Sequence, residues 1–334
     1  MEVAVPRQSD RLPGVSMAGF RQRAPARGDI AMVAHPSVTL FVDLREGDSL
    51  VHDAHGRREC GSTVVGLMAR DLRLGSRAAG GIECLQIRLS PVLAVAVLGA
   101  STDLSGTVVS LEDLWGHDAG RAEDRLRTAA SWDERFTIAV DALGRRLNAR
   151  PSLDPEVTAA WWLMRTSRGR VRVDSLAKEV GWSHQRLWSR FRSQIGLTPK
   201  HAARLVRFDH AAHLLAAGNA AAEVAAASGY ADQAHLHREV KAFTGVTPTA
   251  VAAAPWLAID DVAWPASFAD LTPSTSTIRQ VPARTGGDPT GSTRQDGAAV
   301  RRYAAAAPGT SRPSRADAAT AGRRDRPPAP VRRA

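Results

Sequence analysis

Residues 181–199 read GWSHQRLWSRFRSQIGLTP, and residues 229–248 read GYADQAHLHREVKAFTGVTP. Four positions of the first stretch recur in the second at a constant offset of 49 residues: Leu187 with Leu236, Phe191 with Val240, Gly196 with Gly245, and Pro199 with Pro248. A repeated supersecondary unit is the first feature to seek in a sequence. Each copy has the pattern of a helix, a glycine turn and a second helix. Two helix-turn-helix units in tandem predict a DNA-binding regulator.

Charge is unevenly distributed along the 334-residue chain, whose net charge is +10. Residues 1–150 hold 19 basic and 19 acidic side chains, whereas residues 151–258 hold 13 and 8. Residues 279–334 carry 12 arginines against four aspartates. A neutral front, a basic middle and an Arg-rich end indicate a polyanion partner for the later segments. For the end segment, a solvated extension without a binding role is the alternative.

The cysteines and the apolar runs indicate the cellular compartment of the protein. Cys60 and Cys84 are the two cysteines, and neither lies in a CxxC pair, so no disulfide framework is expected. No signal-peptide pattern opens the chain. The longest apolar run, Val92 to Leu98, is far shorter than the ~20 residues of a membrane span. We expect a cytoplasmic protein without a membrane partner.

The front half has strand patterns. Residues 1–20 are expected to be a flexible N-terminus, and residues 21–150 a β-rich sensor or dimerisation domain that ends in helix. Val38 to Leu44 is a β-prone run, and Leu85, Ile87 and Leu89 alternate with polar residues as in a half-buried strand. Further strands follow Gly61 and Gly106, so a small barrel or sandwich is expected. One helical stripe then follows: Phe136, Val140, Leu143 and Leu147.

The partners of this front domain stay open at this level. Its helix can pack on the sheet or on the same helix of a second subunit, which would make a homodimer. A barrel of this size can hold a small-molecule effector. His52, His55 and Cys60 lie close together, but they match no zinc spacing and lack a fourth ligand. No metal site and no cofactor are expected.

Residues 151–258 are expected to form the all-α unit that carries the repeat. Asp154 followed by Pro155 is a strong helix start, Asp174 can cap the next helix, and Ser183 the third. In that third helix the residues Leu187, Phe191 and Ile195 form the buried stripe. Thr198 and Pro199 then start a long helix that runs to about Ala217.

Geometry selects the DNA-facing residues of the first recognition helix. At ~100° per residue, four side chains point away from the stripe: Gln185, Ser189, Arg192 and Ser193. His184 stands at the helix start, where recognition helices present residues to base edges. Glutamine can pair with adenine, and arginine with guanine or a phosphate. Trp188 lies ~60° from the stripe, so a core edge and a base contact both remain open.

The second recognition helix repeats this arrangement. Asp232 caps it, while Leu236 and Val240 are buried. Gln233 stands at the leading end and His237 on the flank, and three residues point outward: Ala234, Arg238 and Lys241.

The long helix between the two units has a length that suits DNA. Its ~19 residues span roughly 28 Å, and successive major grooves on one DNA face are ~34 Å apart. A rigid rod of this length can hold two recognition helices over adjacent grooves. Lys200, Arg204 and Arg207 on the rod offer cations to phosphates, and Arg192 and Lys241 on the recognition helices are expected to do the same.

Both copies, and above all GYADQAHLHRE at 229–239 with GVTP at 245–248, resemble the AraC/XylS family of transcription regulators. The resemblance covers about 100 residues, roughly Asp154 to Val251. It implies a seven-helix domain whose two recognition helices enter successive major grooves, and transcriptional control, often activation through contact with RNA polymerase. The residues that match the family's base-facing positions are His184, Gln185, Trp188 and Ser189 in the first unit and Gln233, Ala234, His237 and Arg238 in the second.

Ala234 departs from the polar residue often seen at its position, so reading there is limited to a weak contact or a thymine methyl group. The front domain is similar to the sensor domains of such regulators, most clearly at residues 85–91.

The sequence as a whole predicts an α+β protein: a β-rich sensor-like domain, a seven-helix tandem helix-turn-helix domain, and a disordered Arg/Ala/Pro-rich tail at 259–334. The alternatives are a DNA-targeted enzyme, such as an alkylation-repair protein, and a non-specific nucleoid binder. Alkylation repair needs a cysteine-rich metal site that two isolated cysteines do not supply, and no phosphate loop or nucleophile elbow is present. A binder that uses charge alone leaves two tuned recognition faces unexplained. We therefore expect a non-enzymatic regulator that binds double-stranded DNA.

Overall fold

The computed structural model describes residues 2–7, 12–22, 30–45, 49–52, 58–67, 72–76, 81–99, 104–147, 153–253 and 264. All of these lie in one compact unit, Met1–Arg279. Two sequence predictions fall outside the described residues: the position of His55, and the tail at 259–334 apart from Trp264.

Two antiparallel sheets form the front half, in agreement with the predicted β-rich domain. The larger sheet has the strand order β1-β2-β9-β4-β7-β10, and the smaller has β3-β8-β5-β6. The strands are β1 (Glu2–Ala4), β2 (Val15–Gln22), β3 (Ile30–Met32), β4 (Val38–Asp43), β5 (Ser49–His52), β6 (Arg58–Cys60), β7 (Thr63–Val65), β8 (Leu72–Ser76), β9 (Ile82–Leu89) and β10 (Val108–Ser110).

Strand β9 lies in the middle of the larger sheet, between β2 and β4. Leu85, Ile87 and Leu89 are buried, as the alternation predicts. Gln86 and Arg88 are buried as well, at 2% and 4% exposure, so the prediction of a half-buried strand is wrong. The second face is covered because a separate apolar cluster, which includes Phe20 and Trp264, packs there.

The N-terminus contains strands where the sequence predicts a flexible segment. Strand β2 pairs with β9 over its whole length, from Val15 opposite Leu89 to Gln22 opposite Ile82. Strand β1 then pairs with β2. The reason is that the backbone hydrogen bonds of β9 need a partner on this side, and β2 also buries its apolar side chains. Residues 2–4 and 15–22 therefore belong to the folded domain.

Trp264 corrects the tail prediction at a single position. It is 5% exposed, and its ring centroid lies 6.5 Å from that of Phe20. The guanidinium carbon of Arg88 lies 3.6 Å from the Trp264 ring centroid. A tryptophan held in this way is part of the folded unit and not of a solvated extension.

Four helices accompany the sheets: α1 (Pro91–Leu98), α2 (Leu111–Trp115), α3 (His117–Thr128) and α4 (Trp132–Leu147). The longest apolar run of the sequence thus forms helix α1, of which Ala94, Val97 and Leu98 are buried. Phe136 and Leu143 of the predicted α4 stripe are buried. The Trp132 ring rests on β2 at Gly19, where an added Cβ would lie 2.3 Å from the ring. The sequence left open whether this helix packs on the sheet or on a second subunit, and the contact at Gly19 shows that it packs on the sheet.

Residues 153–253, which the structure describes without a gap, contain seven helices, as the resemblance to AraC/XylS regulators implies: α5 (Pro155–Thr166), α6 (Val173–Glu179), α7 (His184–Ile195), α8 (Pro199–Ala216), α9 (Ala221–Ala227), α10 (Gln233–Thr244) and α11 (Pro248–Ala253). Helix α8 packs against α5, α7, α9, α10 and α11, and most of its side chains are buried. None of the described helices combines the length and apolar character that a bilayer span needs.

One glycine allows the turn after α5 to approach α8. Gly169 has φ +70°, and a Cβ at this position would lie 2.2 Å from the carbonyl oxygen of Ala203. A side chain is therefore excluded both by the backbone conformation and by the space. The close contact of Gly169 with α8 is a tertiary feature.

Helix caps follow the sequence at three positions and differ at two. The side chains of Ser183, Thr198 and Asp232 accept hydrogen bonds from the first-turn amides of α7, α8 and α10. Asp154 precedes α5 but makes no side-chain cap, because its carboxylate binds an arginine instead. Helix α6 begins at Val173, so Asp174 lies within its first turn and does not cap it.

Candidate nucleic-acid interface

Helix α7 has a buried stripe and an opposite face that is exposed. Leu187, Phe191 and Ile195 have no measurable exposure, because a period of four residues places them on one side of the helix. All four base-reading residues predicted for this helix are exposed: His184, Gln185, Trp188 and Ser189. The first recognition face is thus continuous and free of core contacts.

Trp188 is 39% exposed and is not part of the core. The guanidinium carbon of Arg192, one turn further along α7, lies 5.2 Å from the Trp188 ring centroid. The contact places an arginine and an aromatic surface together on the exposed face. An exposed tryptophan at this position suits contact with a base or a sugar better than the core edge that the sequence left open.

An ion pair anchors α7 to the start of α5. Arg190 donates from Nε to Asp154 Oδ2 at 2.7 Å and from Nη2 to Oδ1 at 2.9 Å. The side-chain oxygen of Gln194 accepts a hydrogen bond from the Asp154 amide at 3.0 Å. The hydrogen bond from Arg190 holds the pKa of Asp154 below its usual range. Sequence reasoning missed this anchor because the carboxylate could equally cap its own helix.

Helix α10 repeats the arrangement of α7. Leu236 and Val240 are buried, and the predicted base-reading residues are exposed: Gln233, Ala234, His237 and Arg238. Asp232 accepts a hydrogen bond from the His235 amide at 2.6 Å, so the acid at this helix start has a capping role. Its charge is therefore directed at backbone amides and not at a DNA phosphate.

The five cations predicted to contact phosphates fall into two groups. Arg192, Lys200 and Lys241 are exposed. Arg204 is half-buried and donates from Nε to Oε1 of buried Glu239 at 2.8 Å. Arg207 is half-buried too, with its guanidinium carbon 4.9 Å from the Tyr230 ring centroid. These two arginines join α8 to the second recognition unit, and their contact with phosphates stays a prediction.

A buried charge network joins the front domain to α8. His35, between β3 and β4, places Nε2 3.2 Å from Asp209 Oδ1 on α8. Arg88 Nη1 lies 3.1 Å from the same His35 nitrogen, and Arg165 Nη1 of α5 lies 3.4 Å from Asp209 Oδ2. Helix α1 of the front domain also packs against α7. The front domain thus contacts both the rod and the first recognition helix.

The protonation states in this network follow from burial and from the neighbouring charges. Burial lowers the pKa of His35 well below its usual range, and the positive charge of Arg88 adds to this effect. Burial lowers the pKa of Arg88 to about 9, which leaves it charged at neutral pH. Burial acts to raise the pKa of Asp209, but the surrounding basic groups together hold it below its usual range. A neutral histidine therefore lies between a cation and an anion.

No metal site emerges from the cluster of histidines and cysteine in the front domain. Within the part of the chain that the structure describes, no group of three His, Cys, Asp or Glu side chains is arranged to hold a metal ion. His52 and Cys60 lie on the neighbouring strands β5 and β6.

Comparison with known proteins supports the identity of the C-terminal unit. Residues 176–254, which include both recognition helices, match the family described as a helix-turn-helix domain. The unit is a DNA-binding helix-turn-helix domain, and its resemblance to AraC/XylS regulators is confirmed. No curated protein matches the chain in sequence.

Solved structures with similarity to the chain include ToxT from Vibrio cholerae O395. That comparison has 12% sequence identity and a TM-score of 0.42, and it covers 71% of this chain and 96% of ToxT. The C-terminal domain of AraT, a response regulator from Geobacillus stearothermophilus, is 23% identical with a TM-score of 0.30, over 31% of this chain and 89% of that domain. The AraC-like transcriptional activator CuxR is 14% identical with a TM-score of 0.20, over 57% of this chain and 75% of its own.

Proposed function

We propose that this protein is a sequence-specific transcription regulator whose α7 and α10 read adjacent major grooves of promoter DNA. The observation that carries the proposal is the pair of exposed recognition faces, each on a helix whose opposite side packs in the domain. Gln185 and Arg238, the two residues best suited to pair with bases, are both exposed. Burial of either would have removed the basis for base reading.

The base-reading set is His184, Gln185, Trp188 and Ser189 on α7, and Gln233, Ala234, His237 and Arg238 on α10. Arg192, Lys200 and Lys241 supply phosphate contacts, which position the protein without reading sequence. Among these residues Arg238 is the one suited to a bidentate contact with guanine. The lone alanine at 234 limits α10 to an apolar contact at one base.

The front domain serves to sense a small-molecule effector or to form a homodimer, and it acts on the DNA-binding domain through two contacts. One is the contact between His35 Nε2 and Asp209 Oδ1, and the other is the packing of α1 on α7. A change in the front domain that moves either contact would change the placement of the recognition helices. Contact with RNA polymerase and a cytoplasmic location complete the proposal.

The test is a nuclease footprint of the purified protein on promoter fragments from its source genome. We expect two protected segments about one helical turn apart on one DNA face, because that is the spacing of successive major grooves. A variant with Gln185 and Arg238 both replaced by alanine is the control, and it should lose the preferred site while non-specific binding persists. Uniform protection of every fragment at all protein concentrations would contradict the proposal.

A further inference from the structure

A cleft of about 490 Å³ lies between α3 and α4 of the front domain. Its volume is within the range of small-molecule sites, roughly 300–1,000 Å³. The apolar part of its lining is formed by Trp115, Ala122 and Ala142, and the charged part by one aspartate and four arginines: Asp118, Arg121, Arg125, Arg145 and Arg146.

Helix geometry explains why these charges meet. Asp118, Arg121 and Arg125 follow a spacing of three and four residues, so they share one face of α3. Arg145 and Arg146 lie in the last turn of α4. The two helices pack together, and Arg146 Nη2 lies 3.3 Å from Asp118 Oδ2. This ion pair joins the start of α3 to the end of α4.

The charges of the cleft do not balance. Asp118 binds both Arg121 and Arg146. Arg125 and Arg145 are exposed, and within the described residues neither guanidinium group has an ion-pair or hydrogen-bond partner. The hydrogen bond from Arg121 holds the pKa of Asp118 below its usual range, and the positive charges of Arg121, Arg146 and Arg145 add to this effect. The cleft therefore keeps a surplus of positive charge.

Helix dipoles account for part of this arrangement. The negative end of a helix stabilises an arginine in its last turn. This accounts separately for the position of Arg125 on α3 and for that of Arg145 on α4. The dipole does not explain why the arginines of two helices line the same concave surface. Like charges that converge in a cleft repel one another and attract a counter-ion of opposite sign.

Trp115 supplies a second and independent observation. It lines the cleft, is 8% exposed, and its indole N–H is buried without a hydrogen-bond acceptor in the described structure. A buried donor without an acceptor is destabilising. The guanidinium carbon of Arg146 lies 4.4 Å from its ring centroid, so a hydrogen-bond donor and a cation adjoin at this wall.

We propose that this cleft binds a small organic anion with at least two acidic groups, phosphate or carboxylate, which Arg125 and Arg145 neutralise. The role of this anion as the effector of the regulator rests on the function proposed above. Binding itself rests on the cleft alone.

The experiment is isothermal titration calorimetry of the full-length protein, without DNA and at constant ionic strength, with pyrophosphate in one series and citrate in another. Preference between the two probes distinguishes a phosphate from a polycarboxylate ligand. The double variant R125Q/R145Q should weaken binding of the preferred probe by roughly tenfold or more, because it removes both charge-assisted contacts to the anion. Both side chains are exposed, and an unchanged thermal unfolding curve confirms that the variant folds.

The matched control is R238Q/K241Q, which removes two cations from the second recognition helix and should bind the probe as the wild type does. Loss of binding in this control, with retention in R125Q/R145Q, would place the anion on the DNA-binding face and overturn the proposal. Equal binding by all three proteins would show non-specific attraction and would overturn the proposal. Absence of binding heat for both probes with the wild type would overturn it as well. If sedimentation instead shows that R125Q/R145Q alters the oligomeric state, the cleft is a subunit contact. If the protein gives a DNA footprint but binds no anion, only the anion-binding proposal is refuted. If it binds the anion but gives no footprint, only the proposed function is refuted.

Discussion

At the scale of single residues, the exposed face of α10 carries two cations with different expected roles. Arg238 and Lys241 are three residues apart, and both are exposed. The planar fork of arginine can make two hydrogen bonds to a guanine edge, whereas lysine is a point charge that suits a phosphate. Their neighbouring positions on one helix make them a matched pair for separating base reading from phosphate contact.

We predict that Arg238→Ala costs about 1–3 kcal/mol at one base position and relaxes the sequence preference there. Lys241→Ala should weaken all sequences alike and lower the slope of log affinity against log salt by about one. Binding measured on a set of single-base operator variants at several salt concentrations tests both statements. If the two substitutions have the same effect, the assignment of roles is wrong.

At the scale of elements, the orientation of α7 depends on its anchor to α5. The bidentate pair of Arg190 and Asp154 is partly exposed, and Arg190 lies on α7, the proposed first recognition helix. Two functions are open to such an arginine, because it could hold α7 in place or contact a phosphate itself. The negative charge of Asp154 distinguishes these two functions, because it helps Arg190 to hold α7 in place but repels a DNA phosphate near Arg190.

We predict that Arg190→Gln and Asp154→Asn each weaken protection of the α7 half-site more than that of the α10 half-site. The double variant should be no weaker than either single variant, because both remove the same anchor. Each change should lower the free energy of unfolding only slightly, as is usual for exposed ion pairs. Footprint titrations with denaturant unfolding provide the measurements. Tighter DNA binding by Asp154→Asn would instead identify Arg190 as a phosphate contact.

At the scale of the whole molecule, the buried network makes the contact between the front domain and α8 sensitive to pH. His35 faces Arg88 of β9, Asp209 and His213 of α8, and Arg165 of α5. Because burial lowers its pKa, the folded protein keeps His35 neutral at a pH where the unfolded chain, with an ordinary value of 6.5, takes up a proton. The free energy of unfolding therefore falls as the pH falls below about 6.5.

We predict a fall of up to about 1.4 kcal/mol per pH unit for each such histidine, measured by denaturant unfolding between pH 7.5 and pH 5. His35→Gln should flatten the curve without abolishing the slope, because burial also lowers the pKa of His210 to about 4. His237→Gln is the control, since this histidine is exposed on α10 and should leave the curve unchanged. Equal slopes for the wild type and His35→Gln would show that His35 is not buried neutral.

The amino-acid sequence alone determined the helices, the recognition faces and several caps. The stripe of Leu187, Phe191 and Ile195, the caps at Ser183 and Asp232, and the exposure of Gln185 all follow from spacing within a few turns. Local patterns succeed here because an amphipathic helix must bury the same face in any packing arrangement.

Only the tertiary structure decided which charges meet. The partner of Asp154 is 36 residues away, Arg204 turns inward to Glu239, and His35 binds Asp209 from a different domain. The strand at 15–22 likewise depends on the edge that β9 offers. An ion pair or a strand edge depends on how distant segments pack, and composition and periodicity contain no information about that distance. The fold of the DNA-binding domain could therefore be predicted from the sequence, whereas its contacts with the front domain could not.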